Sequence, residues 1–251
     1  PKLPTGRIER GSIDGPNGPI TIETVWPVEG QPLGTLVYYH GGGWIIGDID
    51  SHQAHAIRFA NRSRVVVVNV DYRLAPEHPF PQGVDDAIAA AKWAAANLAR
   101  LGGEGRPLCV GGDSAGGNFA AATALVCRDS GIKLAAQVLI YPATDMTGVG
   151  NPDIRKAYFG DNFARDCRSP KASPVLADLA GVAPAILGVG PHDFLYQDNL
   201  AFVAALRKAK VKLIFREFPT LNHGFFSYTA IAPACAAAAD LICDDLRGLI
   251  G

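Results

Sequence analysis

One run of residues constrains the fold more than any other: Val65-Val66-Val67-Val68-Asn69-Val70. β-Branched side chains favour strands, and a strand that is apolar on both faces is typical of a parallel sheet covered by helices on both sides. Other short runs of this kind lie at residues 35–39, 108–110, 136–141, 185–189 and 211–218, and residues 19–28 alternate in polarity. The pattern predicts a mainly parallel central sheet.

Longer segments with helical spacing separate these runs, at residues 51–62, 83–101, 115–128, 198–208 and 231–249. Asp50 or Ser51 is a candidate N-cap for the first helix, and Gly102-Gly103 would end the second. Alternating strands and helices predict an α/β fold with helices on both faces of the sheet. With 251 residues, we expect one domain over residues 1–251.

Charge and hydropathy exclude several classes of protein. A net charge of −1 and a pI near 6.7 give no basic surface for nucleic acid. No apolar run is long enough for a membrane span. The apolar region of a secretory signal peptide is not visible after Pro1-Lys2-Leu3-Pro4. The five cysteines lack CxxC spacing, which indicates free thiols in a reducing compartment. We therefore expect a cytoplasmic protein with no nucleic-acid or membrane partner.

Residues 145–172 fit the alternation poorly. Several Gly and Pro residues interrupt the segment, and Tyr158, Phe159 and Phe163 lie among them. Long irregular excursions in compact domains are usually lids or binding loops. We expect a short lid here, the alternative being a surface loop whose aromatic side chains pack on the domain.

The segment Gly112-Asp113-Ser114-Ala115-Gly116 matches G-x-S-x-G between a predicted strand and a predicted helix. A sharp turn at this place leaves no room for side chains two residues before and after the serine, so glycines are needed there. The serine then lies at a helix N-terminus, where free amides favour developing negative charge. Ser114 is therefore the candidate nucleophile, although the same motif can be an ordinary glycine-rich turn.

Three glycines follow another strand in His40-Gly41-Gly42-Gly43-Trp44. Consecutive glycines are costly to order, and they suit a loop whose amides must approach a ligand closely. Two of these amides, with that of Ala115, could hold a developing oxyanion. A phosphate-binding loop is the weaker alternative, because neither phosphate-loop pattern is present.

A serine nucleophile needs a base, and six histidines are available. His223 follows the last predicted strand, at the sheet edge where Ser114 is expected, and Asp193 follows the strand before it. The order Ser114, Asp193, His223 suits a nucleophile, an acid and a base in this fold class. Asp198 is the alternative acid, but its position predicts a cap of the helix at residues 198–208. His52-x-x-His55 has no acidic partner nearby in sequence, so we expect no metal site.

Several motifs together resemble the bacterial hormone-sensitive-lipase-like (family IV) esterases of the α/β-hydrolase fold. The motifs stand in the family's order: residues 40–44, 71–77, 112–118, Tyr141-Pro142, Ser173-Pro174 and 223–225. The resemblance implies hydrolysis of carboxylic esters with short acyl chains, without a cofactor. It implies Ser114, Asp193 and His223 as the triad and Gly42, Gly43 and Ala115 as the oxyanion donors.

Further expectations follow from the same resemblance. Arg73, Glu77 and Asp86 match structural positions of the family, and the peptide bonds before Pro76 and Pro81 are candidates for the cis form. The residues beside the triad and the glycines are expected to bind substrate: Gly41, Trp44, Asp113, Phe194 and Phe225.

Two departures from the family concern its cap. The core strands begin almost at once, and the excursion after Tyr141-Pro142 is short, which predicts a reduced or absent cap and an open pocket. An amide, formamide or lactone hydrolase with the same triad is an alternative, and a non-catalytic receptor on this fold is a remote one. The expected partner is a small ester, and the resemblance also suggests a homodimer.

Overall fold

The computed structural model describes residues 3–148 and 151–251. Its centre is an eight-stranded sheet in the order β1-β2-β4-β3-β5-β6-β7-β8. The strands are β1 Ile8–Ile13, β2 Ile20–Val25, β3 Gly34–Tyr39, β4 Val65–Asp71, β5 Leu108–Asp113, β6 Ala136–Ile140, β7 Ala185–Val189 and β8 Leu213–Glu217. Six strands pair in parallel, in the order β4-β3-β5-β6-β7-β8. Strand β2 pairs antiparallel with both β4 and β1. The predicted mainly parallel sheet is confirmed.

The helices of the described residues connect these strands and cover both faces of the sheet. They are α1 Gln53–Ser63, α2 Gln82–Ala96, α3 Ala115–Asp129, α4 Pro152–Phe159, α5 Phe163–Asp166, α6 Tyr196–Lys208 and α7 Pro233–Ile250. Helix α2 packs beside α3, and α1 packs beside α7. The predicted α/β-hydrolase architecture is therefore present.

The valine run forms β4, the third strand across the sheet. The four valines Val65–Val68 and Val70 are fully buried, as expected for a strand that is covered on both faces. The one polar side chain inside the run, Asn69, is also buried and donates a hydrogen bond to the Ile49 carbonyl oxygen at 3.1 Å. The amide nitrogen of Asn69 thus has a partner inside the apolar strand, whereas its Oδ1 atom has none among the described residues.

Several local expectations hold. The Ala75–Pro76 and Phe80–Pro81 bonds are both cis. Arg73 Nε donates to Asp86 Oδ2 at 2.5 Å, and the Asp86 side chain is 1% exposed, so this pair is a buried structural contact. All five cysteines are buried and unpaired.

Other local expectations were wrong. Strand β1 was not predicted, because Ile8–Ile13 has exposed side chains on most of its length and little apolar patterning. The N-cap of α1 is His52, without a side-chain cap, since the Ser51 hydroxyl bonds back to Asp48 instead. The segment 145–172 is not irregular throughout, since it contains α4 and α5.

Candidate active site

Ser114 lies on a strained turn between β5 and α3. Its backbone has φ 54° and ψ −115°, a region that non-glycine residues rarely occupy. A Cβ atom on Gly112 would come 2.4 Å from the Tyr39 carbonyl oxygen, and one on Gly116 would come 1.9 Å from it. Only glycine therefore fits at these two positions, as the motif predicted, and the turn points the serine side chain away from the sheet.

The side chains of Ser114, His223 and Asp193 form a continuous chain of contacts. The Ser114 Oγ atom lies 2.9 Å from His223 Nε2. The His223 Nδ1 atom lies 2.9 and 2.8 Å from the two carboxylate oxygens of Asp193. The Asp193 side chain is fully buried, whereas the His223 side chain is 22% exposed. The structure thus brings together three residues that are far apart in sequence.

The loops after β7 and β8 hold the carboxylate and the imidazole in place. Asp193 Oδ1 also accepts a hydrogen bond from the Leu195 amide at 2.7 Å. The His223 ring packs against Phe194 and Tyr141, with ring centroids 4.4 and 4.7 Å apart. Hydrogen bonding to Nδ1 fixes which nitrogen of the imidazole faces the serine.

The rival acid, Asp198, has a different partner. It lies in the first turn of α6 and accepts hydrogen bonds from the Thr144 amide and hydroxyl at 2.7 and 2.5 Å. Burial raises the pKa of Asp198, although the hydrogen bonds from Thr144 oppose that shift. Asp198 therefore ties α6 to the chain that follows β6, and it does not contact His223.

The glycine loop has a left-handed backbone at three successive residues. The φ angles of Gly42, Gly43 and Trp44 are 128°, 61° and 65°. The Gly42 carbonyl accepts hydrogen bonds from the Ile45 and Ile46 amides at 3.1 and 3.0 Å, which closes a tight turn. Among the described residues, the amides of Gly42, Gly43 and Ala115 donate no hydrogen bond to the protein. Within the described part of the chain, these three donors are thus left without an acceptor.

Comparison with known proteins identifies the family. Residues 36–227 match a family described as having the alpha/beta hydrolase fold. The chain belongs to this family.

Named relatives and solved structures of α/β hydrolases agree with this assignment. Carboxylesterase NlhH of Mycobacterium tuberculosis is 38% identical over 94% of this chain and 81% of its own length. An esterase of Pyrobaculum calidifontis superposes with a TM-score of 0.92 at 36% identity, covering 98% of this chain and 86% of that one. The carboxylesterase EstE1, cloned from a metagenomic library, gives a TM-score of 0.92 at 32% identity over 100% of this chain and 91% of its own. These similarities place the chain in the hormone-sensitive-lipase-like branch of the α/β hydrolases.

A cavity of about 660 Å³ opens beside Ser114. Trp44 and Phe194, two of the residues expected to bind substrate, line it. The remaining lining residues come from the glycine loop, the segment after β6 and the start of α6: Gly43, Ala143, Asp145, Gly148, Asn151, Ile154, Val175, Leu195, Gln197, Asp198 and Ala201. Most of this surface is apolar, which suits a hydrocarbon portion of a ligand.

Three residues expected to bind substrate, Gly41, Asp113 and Phe225, do not line this cavity in the described part of the chain. Phe225 is 1% exposed and packs edge-to-face on the Tyr141 ring behind the His223 loop. Asp113 is directed into the core, and the Gly41 amide donates to its carboxylate. These three residues, which neighbour the triad or the glycine loop in sequence, thus lie apart from this cavity, and their part in substrate binding stays a prediction.

The segment after β6 forms one wall of the cavity. Tyr158 of α4 is 2% exposed and stacks on Trp44, with ring centroids 4.7 Å apart. Ile154, one turn earlier in α4, faces Gly43, since its Cδ1 atom lies 3.8 Å from the ideal Cβ position there. Helix α4 thus combines a feature of each expectation for this segment: an aromatic side chain packed on the domain and a side chain that lines the cavity.

A second cluster of titratable groups lies behind the glycine loop. His52, His55 and Asp113 each offer one ligand atom, and these atoms lie within 4.8 Å of one another. The histidine pair has no acidic partner nearby in sequence, but β5 brings Asp113 to it from a distant part of the chain. We do not assign metal ligands here, since Asp113 Oδ1 already accepts two hydrogen bonds and the Tyr38 hydroxyl lies between this oxygen and His55. Hydrogen bonds account for the arrangement.

Within residues 3–148 and 151–251, no helix is long and apolar enough to cross a membrane.

Proposed function

We propose that the protein is a serine carboxylesterase that hydrolyses short-acyl carboxylic esters through an acyl-enzyme intermediate. The observation that carries the proposal is the line of contacts from Asp193 through His223 to Ser114, which lines a cavity together with Gly43. Nucleophile, base and orienting carboxylate at hydrogen-bond distance are the parts that acyl transfer needs. The esterase relatives support the same reaction.

Acylation begins when His223 Nε2 takes the proton of the Ser114 hydroxyl as its oxygen attacks the ester carbonyl carbon. The carbonyl oxygen becomes an oxyanion, which accepts hydrogen bonds from the Gly42, Gly43 and Ala115 amides. Asp193 keeps the imidazole in the correct tautomer and stabilises the imidazolium. His223 then gives its proton to the departing alcohol.

Deacylation repeats these steps with water as the nucleophile. His223 accepts a proton from water as the water oxygen attacks the acyl carbon, and it returns the proton to Ser114 as the acid leaves. The residues present suffice for both half-reactions, and the proposal invokes no cofactor.

The walls of the cavity suit the hydrocarbon part of an ester and leave the cavity open. Trp44 and Ile154 bound it with apolar surface, and Phe194, with 76% of its surface exposed, stands at the opening. Such a pocket accommodates short acyl groups and remains open to solvent. We expect acetyl and butyryl esters to react at similar rates, and a sharp fall from acetyl to butyryl would contradict an open pocket.

The test compares wild type with Ser114→Ala and with Ser227→Ala, a control at an exposed serine that follows His223 by four residues. Removal of the nucleophile should lower p-nitrophenyl acetate turnover by about 10⁶-fold, whereas the control should retain activity. A fluorophosphonate should label wild type at Ser114. Retained turnover in Ser114→Ala would refute the assignment of the nucleophile.

The reaction class is tested with a substrate panel. kcat/KM should be higher for acetyl esters than for lactones or N-formyl anilides of similar size. The opposite order would indicate an amide, formamide or lactone hydrolase with the same triad. Failure of the fluorophosphonate to label Ser114 would favour a ligand-binding protein without catalysis.

Five finer proposals accompany the activity. We propose one domain over residues 1–251, with residues 145–172 as a short lid and with a reduced cap. A homodimer formed through the exposed edge of β8 and α7 is proposed because β8 is an edge strand with only partly buried side chains. A cytoplasmic location is proposed on the strength of the five free thiols. Sedimentation measurements and cell fractionation test the last two.

A further inference from the structure

A buried carboxylate lies directly behind the nucleophile. Asp113 precedes Ser114 and is 4% exposed. Its Oδ1 atom accepts hydrogen bonds from the Tyr38 hydroxyl at 2.8 Å and from the Gly41 amide at 3.0 Å. A Cβ atom on Gly41 would come 2.3 Å from the other carboxylate oxygen. The carboxylate therefore fastens the first residue of the glycine loop to the strand that carries the nucleophile.

An unneutralised charge at this position would work against catalysis. The reaction develops a second negative charge at the ester oxygen, on the other side of the same loop. Like charges repel strongly in a site with little water, and a buried carboxylate without a cationic partner is costly to maintain. The geometry therefore calls for a positive group on Asp113.

Three imidazoles surround this carboxylate. His52 Nε2 lies 3.6 Å from Asp113 Oδ2, and His55 Nδ1 lies 3.9 Å from Asp113 Oδ1. The His40 ring stacks on Tyr72 with centroids 4.2 Å apart, and its Nδ1 atom faces the Gly41 carbonyl oxygen at 2.7 Å. Only His52 directs a ring nitrogen at the carboxylate oxygen that the hydrogen bonds from Tyr38 and Gly41 leave free.

The charge states of the three rings differ. Burial lowers the pKa of both His40 and His55 to about 4, so each is neutral at pH 7. Burial alone would also lower the pKa of His52, but the Asp113 carboxylate, with a smaller contribution from Asp48, outweighs it and raises that pKa. Burial would raise the pKa of Asp113, but the contacts with His52, His55 and Tyr38 hold it well below its usual range.

The other groups that face His52 do not replace this pairing. The Ser51 hydroxyl lies 2.9 Å from His52 Nδ1 and orients the ring. The His40 and His55 rings lie 5.3 and 4.7 Å away and are uncharged. The Tyr38 hydroxyl faces His55 and the Tyr72 hydroxyl faces His40, and burial keeps both hydroxyls protonated. Arg58 acts on His55.

We propose that His52, as an imidazolium paired with Asp113, is a positioning residue for the proposed ester hydrolysis. It neutralises the carboxylate behind Ser114 and keeps the glycine loop in the geometry that receives the oxyanion. The proposal rests on the proposed function, because the loop matters only if an oxyanion forms. Loss of the proton from His52 leaves Asp113 charged and unpaired, and kcat falls while KM changes little. The pH profile of kcat therefore has a basic limb that belongs to His52.

The experiment measures kcat and KM between about pH 5 and pH 10 in wild type, His52→Gln and His55→Asn. Gln places an amide nitrogen near the position of Nε2 but carries no charge, and Asn does the same for Nδ1 of His55. We expect His52→Gln to lower kcat by about tenfold or more at neutral pH and to lose the basic limb. His55→Asn should keep the limb. A basic limb that survives in His52→Gln, or that His55→Asn removes equally, would overturn the proposal.

A second measurement does not depend on the variants folding. The ring protons of His52 in wild type, assigned by through-bond NMR, should titrate at the pH of the basic limb. Titration of His52 below the ordinary histidine value of 6.5 would overturn the proposal. So would activation by added Zn²⁺ that requires both His52 and His55, because a metal would hold both rings neutral.

The two proposals fail in different ways. A wild-type protein that neither hydrolyses esters nor labels at Ser114 would refute the proposed function. A wild-type protein that does both, and whose basic limb does not respond to His52→Gln, would refute the role of His52 alone.

Discussion

Alanine at Gly42 and alanine at Gly43 should have very different effects, although the two residues are adjacent. A Cβ atom on Gly42 would lie 1.9 Å from the Ile46 carbonyl oxygen, and φ there is 128°. A Cβ atom on Gly43 would meet nothing closer than Ile154 Cδ1 at 3.8 Å, and φ there is 61°. The first substitution creates a clash with backbone, whereas the second requires only a left-handed alanine.

The expected magnitudes follow from this difference. A left-handed alanine costs about 1–2 kcal/mol, and Gly43→Ala keeps the amide in place, so the variant should lose stability but little kcat. Gly42→Ala must open the turn that the Ile45 and Ile46 amides close, which displaces at least one donor from the oxyanion. Loss of one such donor lowers kcat by about 10²–10³-fold.

Steady-state hydrolysis of p-nitrophenyl acetate and urea unfolding, measured on both variants, separate the two effects. We expect Gly42→Ala to fall far below Gly43→Ala in kcat, with KM similar in both. Equal losses of kcat in the two variants would refute the reasoning, because they would show that neither the clash nor the turn controls the oxyanion donors.

Three further predictions concern the acid, the buried histidines and the lid. Asp193→Asn should lower kcat by about 10⁴-fold by favouring the wrong tautomer of the base, and Asp198→Asn should lower it far less; similar losses in the two variants would reinstate the rival acid. Burial lowers the pKa of His40 and His55 from 6.5 to about 4, so each stabilises the folded state above pH 6.5. That stability should be lost as the pH falls towards 4, by about 1 kcal/mol per histidine per pH unit, and urea titrations should show a shallower dependence in His55→Asn than in wild type. Tyr158→Ala should cost about 3–5 kcal/mol and raise KM for esters by loosening the wall of the cavity, and an unchanged KM would contradict a role of this segment in binding.

Strong local patterns made much of the fold predictable. The valine run predicted a strand buried on both faces, and the glycines around Ser114 predicted a sharp turn. Asp193 and His223 were found because parallel strands end at one edge of the sheet, so their loops had to meet there. Each of these inferences depends on neighbours in sequence or on the direction of a strand, and both can be read from one chain.

Contacts that depend on how surfaces pack were out of reach. The pairing of His52 with Asp113 joins a helix N-terminus to the end of a distant strand. The sequence of neither segment predicts this contact. Phe225 was expected at the substrate because it follows His223, yet the loop turns its ring into the core. The wrong N-cap of α1 has a local cause instead, since the Ser51 hydroxyl donates to the Asp48 carbonyl oxygen three residues earlier.

The position of the base at the margin of the sheet has a consequence for inactivation by heat. Ser114 follows β5, which lies in the middle of the sheet, whereas His223 lies in the loop after β8. Strand β8 is at the edge of the sheet, and its side chains are only partly buried. Marginal strands open more easily than central ones. Warming should therefore abolish the activity at a temperature at which the interior of the domain is still folded. Cooling from that temperature should restore the activity without global refolding.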